Sequence, residues 1–199
     1  MYIFGYGSLI NQYSRQMTGN TQAAIPVTVH GLERHWGKVN GSYQIAPLVA
    51  RMGKGHCNGV LVEVDEAALA QFDLREKGYT RVALEPGQIE TFDRAQSALN
   101  CFNRELPLWV YTKDETEPPC QHWPIMQTYV DTVLAGCLSI SPIFAKTFVE
   151  TTNGWHYPRE NDRHQPKYGK HAGVEREHLA HIDQLLAQIP RTTARFDKG

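Results

Sequence analysis

Hydrophobic and polar positions recur with two different periods along the chain, and the change from one to the other falls near residue 124. Before it, short apolar runs bounded by Gly and Pro predict strands. The first, Tyr2-Ile3-Phe4-Gly5-Tyr6-Gly7-Ser8-Leu9-Ile10, is broken by two glycines around a tyrosine and predicts a buried strand entering a tight turn. Alternation restarts at 26–31. Runs at 45–51 and 57–64 flank Gly53-Lys54-Gly55 and predict a hairpin, and further strands are expected near 79–84, 89–92, 98–102 and 106–111. One short helix fits the polar stretch 11–21. A stronger one spans 66–76, with Asp65 as N-cap and Gly78 as stop.

Beyond residue 124 the period becomes helical. Ile125, Tyr129, Val130, Val133 and Leu134 share one stripe, with Gly136 near the end of the helix. Ser141-Pro142 opens a helix reaching about residue 149, residues 153–168 read as a long loop, and 174–188 form a last amphipathic helix stopped by Pro190. Strands around one helix, followed by helices, indicate an α+β fold with a strongly bent or closed sheet. At 199 residues one domain is expected.

Charge narrows the partners. The 20 Lys and Arg nearly balance 21 Asp and Glu without a like-charge block, which disfavours nucleic-acid and anionic-membrane surfaces. No apolar run approaches the roughly 20 residues that span a bilayer, and the start of the chain lacks a signal-peptide pattern, so a soluble cytoplasmic protein is expected. Cys57, Cys101, Cys120 and Cys137 form no Cys-x-x-Cys pair and read as reduced thiols. His178 and His181 lie three apart but lack a suitably spaced third ligand, so no metal site is assigned. His156 sits in a turn-rich stretch that can line a pocket.

Two stretches carry candidate chemistry. Gly5 and Gly7 permit unusual backbone angles and close approach of a ligand, and consecutive N–H groups in such a turn can converge on an oxygen. The plainer reading is a tight bend, with Ser8 capping a short helix. Glu76 projects from the helix face that also carries Leu69 and Phe72. A carboxylate there either pairs with Arg75 or Arg81, or sits in a pocket where desolvation raises its pKa toward the range useful for proton transfer.

Phe4-Gly5-Tyr6-Gly7-Ser8-Leu9, followed by Asp73-x-Arg75-Glu76-x-Gly78-Tyr79-x-Arg81, resembles the γ-glutamylcyclotransferase superfamily, including its glutathione-specific, cation-transport-regulator-like branch. Pro124, Tyr129 and Gly136 add a third point of likeness. The resemblance implies a small β-barrel flanked by helices, with neither metal nor organic cofactor. It also implies that a γ-glutamyl group cyclises to 5-oxoproline with release of an amine, amino acid or dipeptide, glutathione being a candidate substrate. Carried over by position, Gly5, Tyr6, Gly7, Ser8 and Leu9 bind the γ-glutamyl group, Tyr129 contacts substrate, and Glu76 is the acid/base. Residues 142–199 would be a family-divergent helical and loop extension, and Asn11 stands where the glutathione-specific branch has an aromatic residue. The alternative is a non-catalytic ligand-binding or regulatory module on the same fold.

Overall fold

The computed structural model describes residues 1–19, 21, 24–39, 45–92 and 102–189. Its centre is β1 (Tyr2–Gly5), buried at every position and flanked on both sides. One neighbour is β3 (Leu48–Glu63), antiparallel, with Phe4 opposite Leu61. The other is β6 (Leu108–Thr112), parallel, with Tyr2 opposite Leu108. A strand covered on both faces and both edges can be continuously apolar, as 2–5 is. The sheet runs β4-β6-β1-β3-β2-β5, where β2 is Ala24–Trp36, β4 is Thr80–Ala83 and β5 is Ile89–Thr91.

The expected hairpin of 45–51 with 57–64 is not what forms. β3 passes unbroken through Gly53-Lys54-Gly55 and pairs along its length with β2, with one register shift between His30 and Leu32. The glycines serve closeness instead of turning, because a Cβ on Gly53 would stand 2.6 Å from the Glu33 carboxylate carbon. Gly within a strand commonly marks such an approach.

The long β2–β3 ribbon bends the sheet, and the N–H of Lys113, just past β6, donates to the carbonyl of Ala50 at 2.8 Å. The result is a mixed α+β fold with a bent sheet and flanking helices. The pairing path nonetheless ends at β4 and β5, so a closed barrel is not shown among the described residues.

The helices follow the sequence pattern closely, with local corrections. α1 (Gln12–Gln16) is capped by Asn11, whose side chain accepts from the Tyr13 and Ser14 N–H groups. α2 (Glu66–Arg75) starts at Asp65, which accepts from the N–H of Ala68 at 2.7 Å, and Gly78 follows it with φ +96°. Ile125 does not join the helical stripe, because it lies in β7 (Ile125–Met126) ahead of α3 (Gln127–Ile140). Gly136 is interior to α3, where a Cβ would come within 2.6 Å of the Asn11 main chain. Ser141 caps α4 (Pro142–Glu150) through its hydroxyl.

The stretch expected as a loop contains β8 (Thr152–Asn153), paired with β2, and β9 (Arg159–Glu160), paired with β7. The final helix is α5 (Arg176–Ala187). The strand expected at 98–102 lies, apart from residue 102, outside the described residues, as do Pro190 and Cys101. No helix among the described residues is long and apolar enough to cross a membrane.

Candidate active site

The β1 strand ends at Gly5, and the chain turns through Tyr6 and Gly7 into a single 3-10 turn, Ser8–Ile10. Neither Gly5 nor Gly7 has positive φ. Gly5 is glycine for lack of room, since a Cβ there would stand 2.6 Å from the Leu9 Cβ, whereas one on Gly7 would make a tight contact of 3.0 Å with the Tyr129 hydroxyl. Ser8 is not the cap of this turn, since Gly7 occupies that position. Among the described residues no acceptor engages the Gly7 or Ser8 N–H, as is usual at the start of a helical turn.

Two buried arginines hold the carbonyl side of this turn. Arg15 Nη1 donates to the Leu9 and Ile10 carbonyls at 3.2 and 3.0 Å. Arg34 is wholly buried and has no carboxylate partner among the described residues. Its guanidinium donates to the carbonyls of Tyr6 (3.3 Å), Asn58 (2.6 Å) and Phe148 (2.9 Å), and to the Thr152 hydroxyl (2.7 Å). Its carbon lies 3.5 Å from the centre of the Phe148 ring. A planar cation with five donors can be satisfied this way by neutral acceptors.

Glu76 follows the last residue of α2 and caps it, its N–H donating to the Phe72 carbonyl at 2.9 Å. Of the two apolar neighbours expected on its face, Phe72 is fully buried and Leu69 only half-buried. The Glu76 carboxylate pairs with Arg75 Nε at 3.0 Å. Arg81 instead pairs with Asp73 at 2.7 Å, and that carboxylate also accepts from the Tyr111 hydroxyl. Arg75 further donates through Nη2 to Ser8 Oγ at 2.8 Å and through Nη1 to Thr18 Oγ1, so one guanidinium joins the acid to the glycine turn.

Gly5, Tyr6, Gly7, Ser8, Leu9, Glu76 and Tyr129 all line a single cavity of about 830 Å³. Burial raises the pKa of Glu76, and the charges of Arg75 and Lys170 offset this only in part. Burial likewise raises Tyr6, Tyr79 and Tyr129, and the Glu76 charge adds to each. Tyr6 donates its hydroxyl to the Tyr111 carbonyl at 2.8 Å, and the Tyr129 hydroxyl accepts from the Leu48 N–H at 3.4 Å. Edge-on contacts with Trp36 and Tyr168, at ring separations of 5.7 and 4.8 Å, hold Tyr129 in place.

A family model described as Gamma-glutamyl cyclotransferase, AIG2-like matches residues 3–129. The chain belongs to this family. The matched span contains all seven residues named above. Among solved structures, a protein named gamma-glutamyl cyclotransferase is similar with a TM-score of 0.57 at 12% identity, covering 92% of this chain and 98% of its own. An uncharacterized protein from Homo sapiens gives 0.58 at 13%, with 92% and 97% covered. YkqA from Bacillus subtilis gives 0.57 at 18%, with 80% and 56% covered. Likeness at these identities speaks for a shared fold. No curated protein sequence matches the chain.

The family match ends before three lining residues that the sequence pattern did not single out, Tyr168, Gly169 and Lys170. All three belong to the segment following β9. Buried Asp162 anchors that segment by accepting from the Thr128 N–H at 2.8 Å and hydroxyl at 2.6 Å. Desolvation works against its charge, but the hydrogen bonds from Thr128 and Lys167 prevail and hold its pKa low. Arg163 bridges wholly buried Asp131 of α3, at 2.7 Å, to Asp183 of α5, at 2.8 Å. The histidines here also have structural partners: His171 Nδ1 is 3.2 Å from the Thr128 carbonyl, and His178 takes part in the capping box of α5. His156 does line a cavity, but a second one of about 350 Å³ beside His35 and Trp36.

Proposed function

We propose that this chain is a γ-glutamylcyclotransferase that forms 5-oxoproline from a γ-glutamyl amide. The observation that carries the proposal is that Glu76 and the Gly7-Ser8 main chain line the same cavity. In the reaction the substrate's α-amino nitrogen attacks its own γ-carbonyl carbon, a C–N bond closes a five-membered lactam, and the amide C–N bond breaks. Nucleophile and electrophile belong to one molecule, so the protein has to hold a folded conformer and move protons. Glu76 takes a proton from the unreactive ammonium and returns it to the departing nitrogen. Its raised pKa suits a group that must do both. The Gly7 and Ser8 N–H groups face the developing oxyanion, and donors of this kind are worth about 3–4 kcal/mol each in other enzymes. Tyr6, Leu9 and Tyr129 shape the wall, and Gly5 leaves room for the turn.

The proposed architecture is one domain, 1–199, with 142–199 as an extension that completes the cavity through Tyr168 and Lys170. Closure of the bent sheet toward a barrel is supported by the Lys113 to Ala50 hydrogen bond. The buried free thiols of Cys57 and Cys137 accord with a reducing compartment, the cytoplasm.

The 3.0 Å Arg75–Glu76 pair favours a second reading, a module that binds a γ-glutamyl ligand without converting it. Incubation with glutathione and a panel of γ-glutamyl amino acids and amines, followed by detection of 5-oxoproline, separates the two. The expected result is product from at least one compound. Glu76→Gln should lower kcat by about two to four orders of magnitude while substrate still binds. Binding without product in the wild type would establish the second reading.

A further inference from the structure

We infer that Lys170 receives a carboxylate on the departing part of the substrate, so that the cavity takes γ-glutamyl amino acids and peptides in preference to γ-glutamyl amines. This rests on the cyclotransferase reading above.

The charge of the cavity is the starting point. Among the described residues, the acidic and basic side chains lining it are Arg75, Lys77 and Lys170 against the single carboxylate of Glu76. A γ-glutamyl group carries one ammonium and one carboxylate and is neutral by itself. What differs between substrate classes is the other side of the amide: an amino acid or peptide adds a carboxylate, whereas a simple amine adds none and a diamine adds a cation. A wall with excess positive charge discriminates in favour of the first.

Among the described residues, Lys170 is the partly buried lining cation that no carboxylate pairs with. Arg75 already has a carboxylate partner in Glu76 and spends three of its five N–H donors on Glu76, Ser8 and Thr18, and Lys77 is exposed to solvent. Lys170 is half-buried, and its Nζ donates to Thr18 Oγ1 at 3.1 Å. An ammonium has three donors, and this bond uses one. Lys170 and Glu76 line the same cavity and are linked through the Thr18 hydroxyl and the Arg75 guanidinium, so a substrate whose amine meets Glu76 has Lys170 in the same cavity to receive its departing part. Burial and the neighbouring Arg75 charge both disfavour the Lys170 ammonium, and a bound anion would oppose both effects. The Asp162 and Arg163 anchors described above fix the segment that carries it, so the cation is held in place.

The test compares γ-glutamylalanine with γ-glutamylethylamide, which differ by the departing carboxylate alone. In the wild type kcat/KM for 5-oxoproline release should favour γ-glutamylalanine by about tenfold or more, the scale of a charge-assisted hydrogen bond. Lys170→Met should bring the ratio to within about threefold of unity, and Lys170→Arg should retain most of it. If the wild type releases no 5-oxoproline from either compound, the same ratio is read from dissociation constants by calorimetry, so that loss of the catalytic reading leaves this one to be judged separately. A wild type that shows no preference, an unchanged ratio in Lys170→Met, a parallel fall for both compounds, or binding of neither would each overturn the inference.

Discussion

Arg75 Nε stands 3.0 Å from the carboxylate of Glu76, and the same guanidinium reaches Ser8 Oγ at 2.8 Å. The Glu76 carboxylate is thus coupled to the Ser8–Ile10 turn, and the pairing with Arg75 limits how far burial can raise its pKa.

Stability should record that raised pKa. The folded-state pKa of Glu76 lies above the ordinary value of 4.5, so between the two values the folded chain binds more protons than the unfolded one. The stability linked to this group is fullest below 4.5 and is lost as pH rises through the folded value. Glu76→Gln does not titrate, so its Tm relative to wild type should climb from about pH 4 to about pH 8. Thermal unfolding across that range tests this, and a difference that is flat or falls with pH excludes a raised Glu76.

Removing Arg75 should raise the proton affinity of Glu76. Arg75 lowers the Glu76 pKa by its charge and its hydrogen bond, while burial acts the other way and remains. In Arg75→Met the acid limb of the pH profile of kcat/KM should shift to higher pH. A limb that stays in place would mean that another group titrates there.

At Gly136 two effects of opposite sign compete. Alanine is favoured over glycine in a helix interior by about 1 kcal/mol. A Cβ here, however, would lie 2.6 Å from both the nitrogen and the Cα of Asn11, atoms that cannot swing aside as a side chain end could. Overpacking should win, giving Gly136→Ala a net loss of about 2 kcal/mol in urea unfolding. Because Asn11 directly follows the Ser8–Ile10 turn, substrate affinity should fall as well. A stabilised variant would show that α3 does not press on that turn.

Arg34→Met should be among the most damaging substitutions in the chain. It leaves the buried carbonyls of Tyr6, Asn58 and Phe148 without the donor they now share. A loss of about 3–5 kcal/mol is expected by chemical denaturation. A loss below about 1 kcal/mol would mean that water replaces the guanidinium readily.

The sequence by itself determined the local elements and the chemistry of their ends. The apolar run 2–5 had to be buried, Asp65 and Ser141 had to start helices, and Gly78 with its positive φ had to end one. Such signals act over a few residues, through backbone angles and the spacing of apolar side chains. The same locality explains the errors. Nothing near Gly53 reveals that Glu33 lies against it, so a glycine of close approach read as a turn.

Only the tertiary structure decided how these pieces meet. It placed buried Arg34 against the Tyr6 carbonyl, assigned Arg75 and not Arg81 to Glu76, and brought Tyr168, Gly169 and Lys170 to a cavity otherwise lined from much earlier in the chain. A buried cation held by neutral acceptors, or a lysine more than 90 positions from the carboxylate it senses, leaves no periodic trace in the sequence. Its partners are chosen by packing across the sheet and by the anchoring of Asp162 and Arg163 on α3.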